Sequence, residues 1–590
     1  MSFLPRLTET AAGRPVQVAF RGYNNTLTVG EDEFSFTEKI TLGHYPVLSP
    51  RPAMGKYENA FSPETEGGLE RCRGMLDMDG LVYVRGNSIY VKGAKLDGYA
   101  VADSPKQLVK MGARVLIWPD KKLLDTETMT VEDLGAVAED VSASFTLSRV
   151  DGTSYQGVTA SDTAPSDPNN NTYWLDTSDN ENHVLKVYSS ALNMWSPVGT
   201  TYVKIQAAAL GTLFQQGDGV SITGVDHAAF TRAGTDYVVA GAGDGWIVVT
   251  GVIDAGFTDV VTVERRIPDM DFLVQHNNRV WGCSSANREV YACKQGDPKN
   301  WYCYAGVSTD SYAATIGSPG AFTGAAVYGG AVLFFKDDCV HKIFGSVPAN
   351  FQIVEERLRG VKAGCHKSLA QVDEVLYYQS RRGIMAYGGD LPILVSEKLG
   401  RVRYGSGVAG ALNDEYFISM EDEDDPGSWV TFVYNTRREA WLRDSAGHFH
   451  EMCASAGDLF MVDADTGNMY TRNGTLDERY FATHYGPEID MYWTARTGDF
   501  LMDDPDKGYL GRIQLRVQLI DEDAEINVGI RYDAGQLNAE WVSKITGTGK
   551  RVVSVPIIPR RCDHFSIELG GKGNSKVFLL AKVLERGTEM

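Results

Sequence analysis

Seven times between Leu81 and Asn473, an apolar run of Val, Tyr, Phe and Leu meets a short polar turn and a second apolar run returns. The units are LVYVRGNSIYVKG near Leu81, ARVLIWPDKKLLDT near Val115, RVWGCSSANREVYACKQGDP near Val280 and VLFFKDDCVHKIFGS near Leu333. LYYQSRRGIMAYGGD near Leu376, the Tyr416 unit ending in WLRD, and LFMVDADTGNMYTRNG near Leu459 complete the set. Alternation with tight turns is the pattern of antiparallel strands. Apart from one interruption the units recur at the length of propeller blades. The expected fold is all-β: a β-propeller of six to eight blades, with an inserted small β-rich domain and a C-terminal β-sandwich.

Boundaries follow from where the pattern stops. Residues 1–60 carry GYNN, GHYP and LSPRP and are expected to form an extended arm that lies along a neighbour or closes a sheet. Residues 61–140 and 263–485 are assigned to the propeller, and 141–262 to the inserted accessory domain. The insert contains a Pro/Asn/Asp-rich entry, two short aromatic-bearing strand pairs and a helix expected within 204–216 (KIQAAALGTLFQQ). Residues 486–590 alternate cleanly in GRIQLRVQLIDEDAEINVGIRYD, which predicts the sandwich. A chain of 590 residues accommodates all of these units.

Candidate sites are few. Trp174 and Trp195 in the insert are candidates for stacking on a sugar ring, or form the core of a module with little else to bury. Arg560, Arg561 and Asp563 around Cys562 suit a local ion pair or a contact with another subunit, given the planar fork of arginine. Cys283, Cys293 and Cys303 are spaced by ten, but fall in strand-like runs where buried thiols are common. The acidic run Glu421 to Asp425 reads as a solvated hairpin tip. The runs at Asp176 to Asn182 and Asp463 to Asn468 lack a complete calcium-loop pattern and read as Asx turns. No hydrolase, metalloprotease or nucleotide-binding motif is present, so no catalytic, cofactor-binding or metal-ligating residue is assigned and no enzymatic activity is expected. A propeller hydrolase stays conceivable, because carboxylates of different blades meet without any fixed sequence spacing.

The net charge of −21 excludes a protein whose main surface grips nucleic acid, though not one that DNA slides past. No run is long and apolar enough for a membrane span, and a soluble chain made in a cytoplasm is expected.

Several phrases carry a likeness: YPVLSPR (45–51), NNRVWGC (277–283), GDPKNWYCY (296–304), the run from Ser308 to Gly345, and PRRCDHFSIELGGKG (559–573). Together they resemble phage and prophage structural proteins of the packaged-DNA stabilization or tail-nozzle kind, the propeller-bearing tail proteins of short-tailed phages. APSDPNNNTYWLDTS and LKVYSS in the insert resemble a small accessory module of phage tail proteins. The resemblance implies a virion protein assembled in the host cytoplasm, and a self-assembled ring, six copies in such families, joined to other tail or adaptor proteins. It further implies a channel that retains packaged DNA and passes it during ejection without binding it tightly. The alternative is a tail protein that recognises or cleaves host-surface glycans.

Overall fold

The computed structural model describes residues 15–64, 70–179, 182–230, 236–481, 484–489, 491–501, 508–533 and 539–586. Contacts divide the chain into two units. One comprises Met1–Pro105, Phe335–Val340 and Arg357–Met590; the other comprises Lys106–Phe334 and His341–Glu356.

The fold is all-β and of the β-propeller class, and each of the seven sequence units is the heart of an antiparallel blade, four-stranded in all but the seventh. In the first unit the first blade runs from Cys72–Asp77 through Leu81–Arg85 and Ser88–Val91 to Ala94–Lys95. The fifth holds Ala370–Val372, Val375–Ser380, Gly383–Tyr387 and Ile393–Leu394, and the sixth Tyr404–Leu412, Glu415–Asp422, Trp429–Asn435 and Ala440–Ser445. The seventh has only three strands of its own, Phe449–Ser455, Asp458–Asp463 and Met469–Thr471. Its fourth is Gly55–Tyr57, from the far end of the chain, with Tyr57 opposite Met469, and Tyr485–Pro487 pairs with the other edge of that strand as a fifth. The central strands are buried on both faces, so they read as continuous apolar runs such as Leu459–Val462.

The second unit holds the second blade (Gln107–Met111, Arg114–Trp118, Lys122–Asp125, Thr130–Asp133) and the third (Phe272–His276, Arg279–Ser284, Glu289–Ala292, Tyr312–Thr315). Most of the fourth, from Gly324–Tyr328 to Gln352–Arg357, belongs here too. Trp118, Val280, Tyr291 and Trp301 pack between the second and third blades, and Trp281, Phe322, Phe334 and Ile343 between the third and fourth.

The insert is two modules, one nested in the other. Ala136–Ser148, Tyr202–Gln206, Trp246–Thr250, Asp236–Gly243, Gly219–Thr223 and Phe257–Arg265 close a six-stranded barrel around Phe145, Ile205, Val249 and Val261. It reaches several residues past each end of the 141–262 segment. Between its first two strands sits a four-stranded sheet: Thr159–Ser161, Tyr173–Asp176, Val184–Ser189 and Met194–Pro197. The helix expected within 204–216 is the single turn Leu210–Leu213. Residues 204–206 instead complete the strand Tyr202–Gln206, which is paired on both sides.

The C-terminal part is a sandwich. One sheet holds Ser575–Arg586, Gly508–Leu519 and Gly549–Pro556, and the other Tyr492–Thr497, His564–Lys572, Glu525–Tyr532 and Glu540–Thr546. Alternation puts Leu515, Val517, Ile526, Val528, Ile530, Phe565 and Ile567 between them. A bulge between Leu510 and Arg512 shifts the register by one, so Leu510 and Ile513 both face inward. The described residues of the arm pair with this domain and with the blades rather than standing apart. Val16–Gln17 adds to the first sheet, and Gly22–Tyr23 with Glu33–Glu38 joins the second sheet to the outer strand of the sixth blade.

Candidate functional site

The arm crosses the junction of sandwich and blades at Arg51, whose side chain has no exposed surface. Its Nε donates to Asp444 at 3.1 Å and its Nη1 to Glu488 at 2.8 Å and to the Pro52 carbonyl at 3.0 Å. Arg472 also binds Asp444, at 3.0 Å, and Lys39 binds Glu488 at 2.8 Å. The cluster therefore ties the arm, the sixth and seventh blades and the segment entering the sandwich. Burial alone would raise the Asp444 and Glu488 carboxyls, but the guanidinium groups outweigh it and both lie below their ordinary values. Glu415, at the edge of the cluster, is moved the other way: burial dominates and its pKa is raised.

In the second unit Arg279 is buried and spends its guanidinium on main-chain carbonyls: Cys293 at 2.8 Å, Asp310 at 2.5 Å and Ser308 at 2.9 Å. Asn300 donates to Asp218 at 2.9 Å and to Asp297 at 2.6 Å, and accepts from the Gly219 amide at 2.8 Å. Arg265 completes the pairing of Asp218 at 2.7 Å. Through these bonds the barrel is seated on the third blade. A Cβ at Gly219 would lie 2.5 Å from the Tyr302 carbonyl, so only glycine permits the approach.

Trp174 is only 6% exposed and its Nε1 donates to the Ser161 carbonyl at 3.0 Å. Its ring meets Trp195 edge-on at 5.4 Å, and the Lys186 ammonium lies 4.8 Å from its centroid. The face required for a sugar is covered, so Trp174 is a core residue of the nested sheet; the half-buried Trp195 packs between it and Tyr188. Arg560, Arg561 and Asp563 do not pair with one another. Arg560 reaches Glu540 at 3.3 Å, Asp563 lies 3.3 Å from His564, and Arg561 forms an isolated bridge with Tyr509.

None of the eight cysteines, all of them among the described residues, is in a disulfide, and seven are buried. Burial raises the Cys293 thiol to about 12 and Cys562 to about 11, which disfavours thiolate ligation. Cys293 and Cys283 belong to different packing clusters. Among the described residues no group of three His, Cys, Asp or Glu side chains is placed to hold a metal ion, and no helix is long and apolar enough to cross a membrane. In the acidic hairpin the Asp424 amide donates to Asp422 and the Gly427 amide to Glu421, and at Asp463 the carboxylate accepts from the Asp465 and Thr466 amides.

No family model matches the chain, and no curated protein matches it. Among solved structures it is similar to an exo-β-1,3-galactanase from Phanerochaete chrysosporium, at 11% identity over 52% of this chain and 94% of that one, with a TM-score of 0.19. Hsv2 of Kluyveromyces lactis matches at 11% identity over 53% of this chain and 95% of that one, TM-score 0.24. PorZ of Porphyromonas gingivalis matches at 10% identity over 90% and 82%, TM-score 0.26. Likeness of this size transfers no site and no activity. The expectation of a protein without enzymatic activity nevertheless does not stand. Glycoside hydrolases, among them the galactanase and an arabinofuranohydrolase from Bacillus subtilis, are matched by a chain in which motif spacing says nothing about catalysis.

Proposed function

We propose that this chain is a structural subunit of a phage tail, an oligomeric nozzle or channel segment that retains packaged DNA and passes it during ejection. One observation carries the reading. Three of the five phrases that resemble tail-nozzle proteins contain buried polar centres of the fold: YPVLSPR ends in Arg51, NNRVWGC contains Arg279, and GDPKNWYCY contains Asn300 and the buried Trp301. In these three the likeness is one of framework, as expected where rigidity is the function. The charge of −21 supports a wall that repels DNA rather than gripping it.

In this reading the chain closes a ring by head-to-tail contacts, with six copies as the expected number, and joins other tail or adaptor proteins. Electron microscopy and native mass spectrometry of the purified chain test it, together with DNA binding at physiological salt. Rings with an open channel and negligible DNA affinity are expected, and particles lacking the protein should lose or fail to deliver their genome. A chain that stays monomeric with and without its neighbouring tail proteins, or binds DNA tightly in a salt-sensitive way, overturns the reading. The second reading, a tail protein that recognises or cleaves glycans, is the one toward which the hydrolase names lean. Hydrolysis of a surface polysaccharide by the purified chain would decide for it.

A further inference from the structure

We propose that a cleft lined by the fifth and sixth blades binds an acidic saccharide residue, a sugar ring that carries a carboxylate. The cleft holds about 290 Å³, close to the roughly 300 Å³ at which ordinary small-ligand pockets begin. In a chain of net charge −21 it collects four cations: Lys362, Arg381, Arg382 and Arg403.

The cations differ in what already occupies them. Arg381 is bound by Asp337 at 2.8 Å, and Lys362 by Glu423 and the Tyr404 carbonyl. Among the described residues Arg403 has only a long ion pair, 3.5 Å from Asp424. Arg382, exposed at the two-residue turn between Ser380 and Gly383, has no ion pair among the described residues. Its planar fork suits a carboxylate.

The second observation lies at the buried end. Gln379 is 1% exposed and lines the same cleft. Its Nε2 donates to the Tyr404 carbonyl at 2.7 Å, which fixes the amide orientation and leaves Oε1 with no hydrogen-bond donor. The adjoining strand bulges between Gly405 and Val408, with Ser406 at φ +49°, and a Cβ at Gly407 would lie 2.0 Å from that oxygen. An unmade bond to a buried acceptor is costly, and a ligand hydroxyl that reached it would complete it.

Anion and hydroxyl recognition together define the ligand. A phosphodiester has no proton to give Gln379, and the carboxylates of Glu397 and Glu423 in the lining disfavour a densely charged polyanion. The same carboxylates accept sugar hydroxyls.

Saturation-transfer NMR and calorimetry on the full chain test this with D-glucuronate, D-galacturonate, methyl glucoside and inorganic phosphate. A uronate should bind at least about tenfold more tightly than methyl glucoside or phosphate, as loss of one charge-assisted contact predicts. Arg382→Glu should abolish the uronate signal and Arg382→Gln weaken it. Arg437→Glu, an equal charge change at an exposed residue outside this cleft, should leave it unchanged. Absence of binding by both uronates overturns the proposal. So does equal binding of phosphate, or equal weakening by Arg382→Glu and Arg437→Glu in variants that keep the wild-type melting profile.

Discussion

Replacing Arg51 with methionine removes the cation from the junction while keeping most of the side-chain volume. The guanidinium is fully buried and holds Asp444, itself 4% exposed, and Glu488. Breaking a buried pair from one side costs about 3 to 5 kcal/mol, because the partner stays behind as a desolvated charge. Here each carboxylate retains one cation, Arg472 for Asp444 and Lys39 for Glu488, so the lower end, about 3 kcal/mol, applies. At roughly 2 to 4 °C per kcal/mol for a cooperative block of 150 to 250 residues, the transition that includes the sandwich should fall by about 6 to 12 °C in scanning calorimetry. The loss should depend on pH. The folded pKa values of Asp444 and Glu488 are lowered, so their stabilisation is present above the unfolded values near 4 and is lost as pH falls through the folded ones. The gap between wild type and Arg51→Met should therefore narrow below about pH 4. An unchanged transition at pH 7, or a gap that widens in acid, refutes the assignment of this cluster as the junction's fastening.

Glu415 gives the opposite sign: its raised pKa means that folding is favoured below the unfolded value and penalised as pH rises through it. Glu415→Gln should raise the melting temperature at pH 7 and have little effect at pH 4, and a lower melting temperature at pH 7 would contradict this. Replacing residues 159–199 with a short Gly-Ser linker should leave the barrel closed, since Ser148 and Tyr202 are already paired neighbours. Loss of soluble protein would place the nested sheet in the barrel's folding unit. Trp174→Ala should destabilise that sheet by about 3 to 5 kcal/mol, as for other buried large-to-small changes, and Trp195→Ala by less, read from tryptophan fluorescence during denaturation. A thiol reagent added to native protein should modify Cys453 alone among the eight cysteines, and rapid modification of several would show that the blades open.

The blades were legible because each is local: strand, turn and returning strand lie within some tens of residues, and buried central strands need unbroken apolar runs such as Val332–Phe335. The sandwich was legible for the same reason, from the alternation in Gly508–Leu519 and Glu525–Tyr532. What stayed hidden is long-range. Nothing around Arg51 announces that its partners lie at Asp444 and Glu488, and a lone arginine after Ser-Pro reads as solvated loop. The arm's strands are two to six residues long, too short to show a period, and gain their identity only from the edges they meet. Trp174 and Trp195 were visible as aromatic residues, but whether a ring faces solvent depends on how the nested sheet folds over Ser161. The cleft arginines were missed because an Arg-Arg pair in a hairpin turn is ordinary; the orphaned Gln379 acceptor below them has no sequence signature.

Completion of the seventh blade by Gly55–Tyr57 imposes an order of events on synthesis. The Asn59 amide bonds to Asn468, 409 residues away, and Tyr57 pairs within the same sheet. At a translation rate of roughly 5 to 20 residues per second, the early strand waits about 20 to 80 s for its partner to be made. During that interval its edge is open to any other strand, including the same segment of a chain on a neighbouring ribosome. Blades with all four strands drawn from consecutive sequence face no such delay, so the seventh is where a crowded polysome would exchange strands between chains and produce linked, misassembled subunits.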